Sequence, residues 1–227
     1  MGQLISAKPP KREEDMRISP LAPHHNGVVA TRYDFLLETY RTERLKTLNL
    51  WSQVPDRRMN DRIEDRARSP REHMVHQCLS EDNWMRTMFG ISVAHAVLPA
   101  EEGRLWFIER YALCSAERLV QLAAKDDLWF EEEAPFFDIV RPRTWVFTRR
   151  LLHSGHHRAQ LQACLRGWGV ALYSTYGPTA DTGGLAASEA RVIYRYPSAE
   201  AILVGEAECA ETPPLPGPGQ KPVSERP

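Results

Sequence analysis

The sequence predicts an all-α fold, in its simplest form a four-helix bundle, and three observations lead there. Four long stretches repeat their apolar residues at helical intervals, each exceeds the length of an ordinary strand, and strand-like alternation is almost missing between them. Hydrophobic residues make up 42% of a 227-residue chain, enough for a real core in one domain with appendages.

The first stretch is "RYDFLLETYRTERLKTLNLWSQV" and the second "SPREHMVHQCLSEDNWMRTMFG". Ser69, with Glu72 three positions on and Pro70 at the first helical position, forms a capping-box start for the second. "GRLWFIERYALCSAERLVQLAAK" gives the third helix. The fourth is "RPRTWVFTRRLLHSGHHRAQLQACLRGWG", which Pro142 can open and Gly167 or Gly169 can close. The acidic connector "DDLWFEEEAPFFDIVRPR" joins the last two, and its adjacent Glu131, Glu132 and Glu133 read as solvated acids, not ligands. Residues 1–27 form a flexible, Pro-broken leader, 28–170 the helical domain, 171–210 an extension that can dock on it, and 211–227 a disordered Pro-rich tail.

Composition removes several function classes. Lys and Arg total 29 against 30 Asp and Glu, so no overall charge draws the chain to nucleic acid or to an anionic membrane. Nothing approaches the ~20 apolar residues of a membrane span. Cys78, Cys114, Cys164 and Cys209 are scattered, as suits reduced thiols and a cytoplasmic protein. Met1-Gly2-Gln3-Leu4-Ile5-Ser6 fits the short myristoylation pattern, which is permissive. Neither H-E-x-x-H nor a phosphate-binding P-loop is present.

The chemistry is concentrated in "LLHSGHHRAQL", residues 151–161. At about 100° per residue, His157 lies one turn along the face of His153, with Val146, Gln160, Leu161, Cys164 and Trp168 on or beside that face. Ser154, Arg158, Gln162 and Arg166 cluster on the opposite one. The two histidines therefore sit on the apolar, buried side. Imidazoles at i and i+4 stand about 5–6 Å apart at Cβ and can share one ion. His156 lies to one side as a spectator. A third ligand must come from another helix, and His73 and His76 are both candidates, because their stripe through Ser80, Asn83 and Thr87 is polar throughout. His24, His25 and His95 are weaker choices, the first two in the leader and the third in a loop.

These residues carry a resemblance. "HSGHHRAQLQACLRGWG" resembles the H-x-x-x-H-R-x-Q-L signature of the DinB/YfiT-like family of metal-dependent bundle proteins, and "SPREHMVHQCLSEDNW" is similar to its second-helix segment. In that segment a Ser-initiated helix presents one His several residues before an acidic position, here Ser69, His76 and Glu81. The resemblance covers about Tyr33 to Gly169. It implies a four-helix bundle binding one divalent ion, zinc or nickel first and iron or manganese next, through His76, His153 and His157, with Arg158 and Gln160 as the remaining signature residues.

Three neutral imidazoles leave an ion its full charge and an open position. Such an ion can activate water for hydrolysis or hold a thiol as thiolate, and the family implies both hydrolases and thiol-dependent transferases. The expected partners are a small-molecule substrate or a low-molecular-weight thiol, with homodimerisation compatible and no nucleic acid or membrane. The competing class is a non-catalytic metal-binding or stress-related protein whose ion stabilises the bundle. Arg149 and Arg150, one turn before His153, suit an anionic substrate or a structural ion pair. Tyr33, Tyr40, Trp106, Tyr111 and Trp145 read as aromatic core or pocket lining.

Overall fold

The computed structural model describes residues 30–186 and 189–218. The expected leader, 1–27, with its myristoylation pattern and with His24 and His25, lies outside the described residues. Helix dominates: α1 (Asp34–Ser52), α2 (Pro70–Phe89), α3 (Arg104–Ala123), α4 (Asp127–Glu131), α5 (Arg143–Gly167) and α6 (Ala199–Glu208). The strands β1 (Glu133–Phe136) and β2 (Ile139–Pro142) form an antiparallel hairpin that pairs Glu133 with Pro142 and Phe136 with Ile139. Among the described residues, no helix is long and apolar enough to cross a membrane.

The long helices form where the sequence places them, for local reasons. At the start of α2, the Ser69 hydroxyl accepts from the Glu72 amide at 3.3 Å while the Glu72 carboxylate accepts from the Ser69 amide at 2.8 Å. Two amides that the helix cannot pair itself are thereby satisfied. Gly90 ends α2 in the left-handed region at φ 66°, where only glycine avoids a Cβ penalty. Helix α5 ends at Gly167, and Gly169, at φ 72°, turns the chain away.

Helix α1 packs on α3 and α5, and α2 packs on the same two helices. Two apolar cores result. One gathers Leu48, Trp51, Met74, Phe107, Ile108 and Leu161, and the other Leu37, Trp84, Met85, Phe89, Phe130 and Phe147. Of the five recurring aromatics, Tyr40 and Tyr111 are buried, but Trp106 and Trp145 are exposed, the latter stacking edge-on to Phe136 of the hairpin.

The placement of two residues of α5 needs correction. Ser154 and Arg158 do not face solvent on the outer side of α5: both are buried, and Arg158 pairs with Glu43 of α1. Helix α5 is covered on two sides, by α1 and α2, so its inward surface is wider than one apolar stripe. The acidic connector folds into α4 and the hairpin.

Beyond Gly169 the chain returns to the first core. Leu172, Tyr196, Ala199 and Ile202 join it, and α6 packs on α1 and α3. Buried Asn49 locks the return, its Oδ1 accepting from the Tyr196 amide at 2.9 Å and its Nδ2 donating to the Tyr196 carbonyl at 3.1 Å. Where a tail without contacts was expected from residue 211, its first residues are held: the Tyr173 hydroxyl donates to the Pro213 carbonyl at 2.6 Å, and the Gly217 amide donates to Asp181 at 2.9 Å. Residues 219–227 lie outside the described residues.

Candidate metal centre

Two polar clusters occupy the space between α2 and α5, the first charged and buried, the second half-buried. Glu81 of α2 is completely buried. Its Oε1 accepts from the Tyr40 hydroxyl at 2.6 Å and from Arg118 at 3.2 Å, and its Oε2 from the Tyr111 hydroxyl at 2.9 Å and from Arg150 at 3.1 Å. Helices α1, α3 and α5 thus all donate to one carboxylate. Burial alone would raise its pKa, but Arg150 and Arg118 outweigh that effect, with help from the two hydroxyls, and hold the group below its usual range. Glu81 in turn adds to burial in pushing both tyrosines well above theirs. Arg150 is therefore a structural ion-pair partner, 1% exposed, and Arg118 also reaches Asp82 at 3.2 Å.

The second cluster adjoins the first through Arg150, whose guanidinium donates to His153 Nδ1 at 2.9 Å and to the Ser80 hydroxyl at 3.1 Å. His153 and His157 of α5 stand one turn apart with their Nε2 atoms 3.2 Å from each other. His76 reaches across from α2, its ring centre 4.4 Å from that of His157 and 5.4 Å from that of His153. One ligand atom from each of His76, His153 and His157 lies within 4.8 Å of the other two, close enough to bind one metal ion. Nitrogens bonded to zinc at about 2.0–2.1 Å are roughly 3.3 Å apart in a tetrahedral shell, so the 3.2 Å pair already has the required bite.

The remaining candidates separate cleanly. His73 is buried and 5.9 Å, ring to ring, from His157, but it does not belong to the converging set. His156 is exposed beside His157. His95 faces Glu117 at 3.3 Å, away from the cluster. Arg149 is exposed.

Protonation favours metal binding. Burial is the main reason that His153 falls to about 4 and His157 to about 3, with Arg150 next for His153 and His153 next for His157. His76 is lowered by burial and then by Arg68 and Arg150. All three are neutral near pH 7, the form that ligates. Hydrogen bonds fix the protons. Arg150 can only donate, so His153 Nδ1 accepts and its Nε2 carries the proton toward His157 Nε2, while His157 Nδ1 donates to Gln160 Oε1 at 2.9 Å. His157 is thus oriented by Gln160 as metal-ligating histidines are. His153 must move its proton to Nδ1 to ligate through Nε2, releasing Arg150 to Glu81 and Ser80.

His76 Nε2 is buried with no hydrogen-bond partner, and so is His73 Nδ1. An unsatisfied buried donor or acceptor costs about 1–3 kcal/mol. An ion between the three histidines would satisfy His76, so the residues fit the group. Trp84 closes one side, 5.6 Å ring to ring from His153, and is itself covered by Phe136 and Phe137 of the hairpin. On another side His76 lines a surface cleft of about 400 Å³. Sequence reasoning missed Trp84, the Gln160 contact and the whole Glu81 network, since each depends on pairings between helices. The chain matches no protein family, no curated protein and no solved structure.

Proposed function

We propose that this chain is a metal-binding protein with a four-helix bundle of the DinB/YfiT-like type, holding one divalent ion through His76, His153 and His157. The observation that carries the reading is the convergence of three neutral imidazoles on one point, where the Nε2 of His76 has no other partner. A nitrogen-only set suits zinc or nickel before harder ions. His76 opens onto the cleft, which favours an ion reachable by a ligand over one sealed in the interior.

When bound, the ion would supply Lewis acidity, lowering the pKa of a thiol or a water that enters from the cleft. The protein's part is to hold His157 through Gln160, to brace the adjoining helices through Glu81, and to exclude water on the Trp84 side. Among the described residues no Ser-His-acid set surrounds the centre, and Cys78, Cys114 and Cys164 are buried, with burial raising all three thiols, so the nucleophile would be a small molecule; the resemblance to thiol-dependent transferases makes us favour a thiol over water. Metal-loaded protein incubated with electrophiles and cellular thiols, and separately with simple esters and amides, distinguishes the two, with His153→Ala as the blank. Thiol-dependent conjugation absent from the blank is the expected result. Thiol-independent cleavage reassigns the centre to hydrolysis, and activity equal to the blank leaves a non-catalytic metal-binding protein.

A further inference from the structure

The cleft beside His76 has an uneven distribution of charge. Its walls carry Arg62, Arg66, Arg68 and Arg71 against Glu72 and Glu102. Arg62 pairs with Glu72, Arg71 with Glu102, and Arg66 with Glu64 at 3.2 Å. Arg68, exposed at the foot of α2, has no ion pair among the described residues.

We propose that Arg68 makes this cleft a receptor for the carboxylate of a small ligand whose other end reaches the histidine centre. The inference rests on the metal-binding reading for that other end, but the anion site stands on the cleft alone. Arg68 and His76 line the same cavity, so one molecule can touch both. Its volume of about 400 Å³ falls in the range typical of small-molecule sites, about 300–1,000 Å³. Val75 and Leu79 supply an aliphatic wall against which a short hydrocarbon body can pack.

Charge gives the class of ligand. Three neutral histidines cancel none of the charge of a divalent ion, and Arg68 adds another positive charge nearby. A neutral ligand would leave that excess standing, whereas an anionic one relieves it. One unpaired guanidinium matches one carboxylate, which it can grip by two parallel hydrogen bonds. A phosphate monoester, near −2, would need a second free cation, and the other arginines of the cleft are engaged.

The test compares ω-mercaptocarboxylates with neutral ω-mercaptoalcohols of equal chain length on the cobalt-loaded full chain, reading the thiolate-to-cobalt absorption band. Carboxylates should bind about tenfold tighter than the alcohols, the effect of one charge-assisted hydrogen-bonded contact. Arg68→Met should abolish that margin while leaving the alcohols unchanged, and Arg57→Met, at an exposed arginine outside the cleft, should preserve it. A margin that survives Arg68→Met overturns the proposal, and ω-mercaptophosphonates binding more tightly than carboxylates overturn the carboxylate assignment. If cobalt does not bind, the metal reading fails by itself. Saturation-transfer NMR of glutarate against glutaramide on metal-free protein then decides, with Arg68-dependent glutarate binding expected and equal binding of both ligands contradicting the anion site.

Discussion

The Glu81 cluster and the histidine cluster lie between the same two helices and share Arg150, but they differ at their centres. Both oxygens of Glu81 are fully used, by donors from three other helices. In the histidine cluster, His76 Nε2 and His73 Nδ1 face no partner. Arg118 Nε, Arg150 Nε and both amide atoms of Gln77 are also buried without partners, so what sets the histidines apart is that three of them converge on one point while one carries an unpaired nitrogen there. Tyr40 and Tyr111 belong to different apolar cores and meet at Glu81, which makes the charged cluster the joint between the cores.

The comparison is broken most severely at Glu81. Replacing it with Ala should cost about 3–5 kcal/mol in urea unfolding, since Arg118 and Arg150 would remain buried without their shared partner. A loss under about 1 kcal/mol would mean that water already reaches the cluster. The opposite sign is expected across the boundary. His76→Leu removes an unsatisfied nitrogen, so the metal-free protein should keep its stability or gain about 1 kcal/mol. A clear loss would show that His76 is an ordinary satisfied core residue.

Acid sharpens the contrast without mutation. His73 and His153 lie at about 4 and His157 at about 3 in the folded protein, against about 6.5 when unfolded. Between these values the unfolded chain binds more protons, so stability rises with pH there. The stability due to neutral histidines is complete above about pH 6.5 and is lost as pH falls toward about 4 and then 3. Glu81, held below its usual range of about 4.5, keeps its contribution above that value and loses it as pH falls further, so the histidines alone account for the change between about pH 6.5 and 4.5. Melting temperature followed against pH should therefore fall through it, and a flat profile would contradict the burial of the histidines. Smaller still, Ser69→Ala should cost about 1 kcal/mol by opening the capping box that sets the start of α2, and with it the register of His76.

Much of this was readable from residue spacing. The i, i+4 interval put His153 and His157 on one face, and the capping box fixed where α2 begins. Periodicity did not choose between His73 and His76, because both lie on a polar stripe and the choice depends on how α2 is rotated against α5. The hairpin was illegible for a different reason: its turn puts Phe137 at φ 55°, where glycine or asparagine would have signalled it, and Pro135 and Pro142 interrupt the strand pattern. The inward turn of Arg158 was hidden because a charged residue on a helix ordinarily reads as solvent-facing, and its partner Glu43 lies far away in sequence.

The most direct measurement is a zinc titration of the full chain and of the His76→Ala, His153→Ala, His157→Ala and His156→Ala variants, read by chelator competition and by unfolding. The wild type should bind one ion and gain about 2.7 kcal/mol at a free zinc concentration about a hundredfold above its Kd. His156→Ala should behave like the wild type, and each of the other three should lose most of the affinity and the gain. Tight, stoichiometric zinc retained by all of His76→Ala, His153→Ala and His157→Ala would contradict the three-histidine centre.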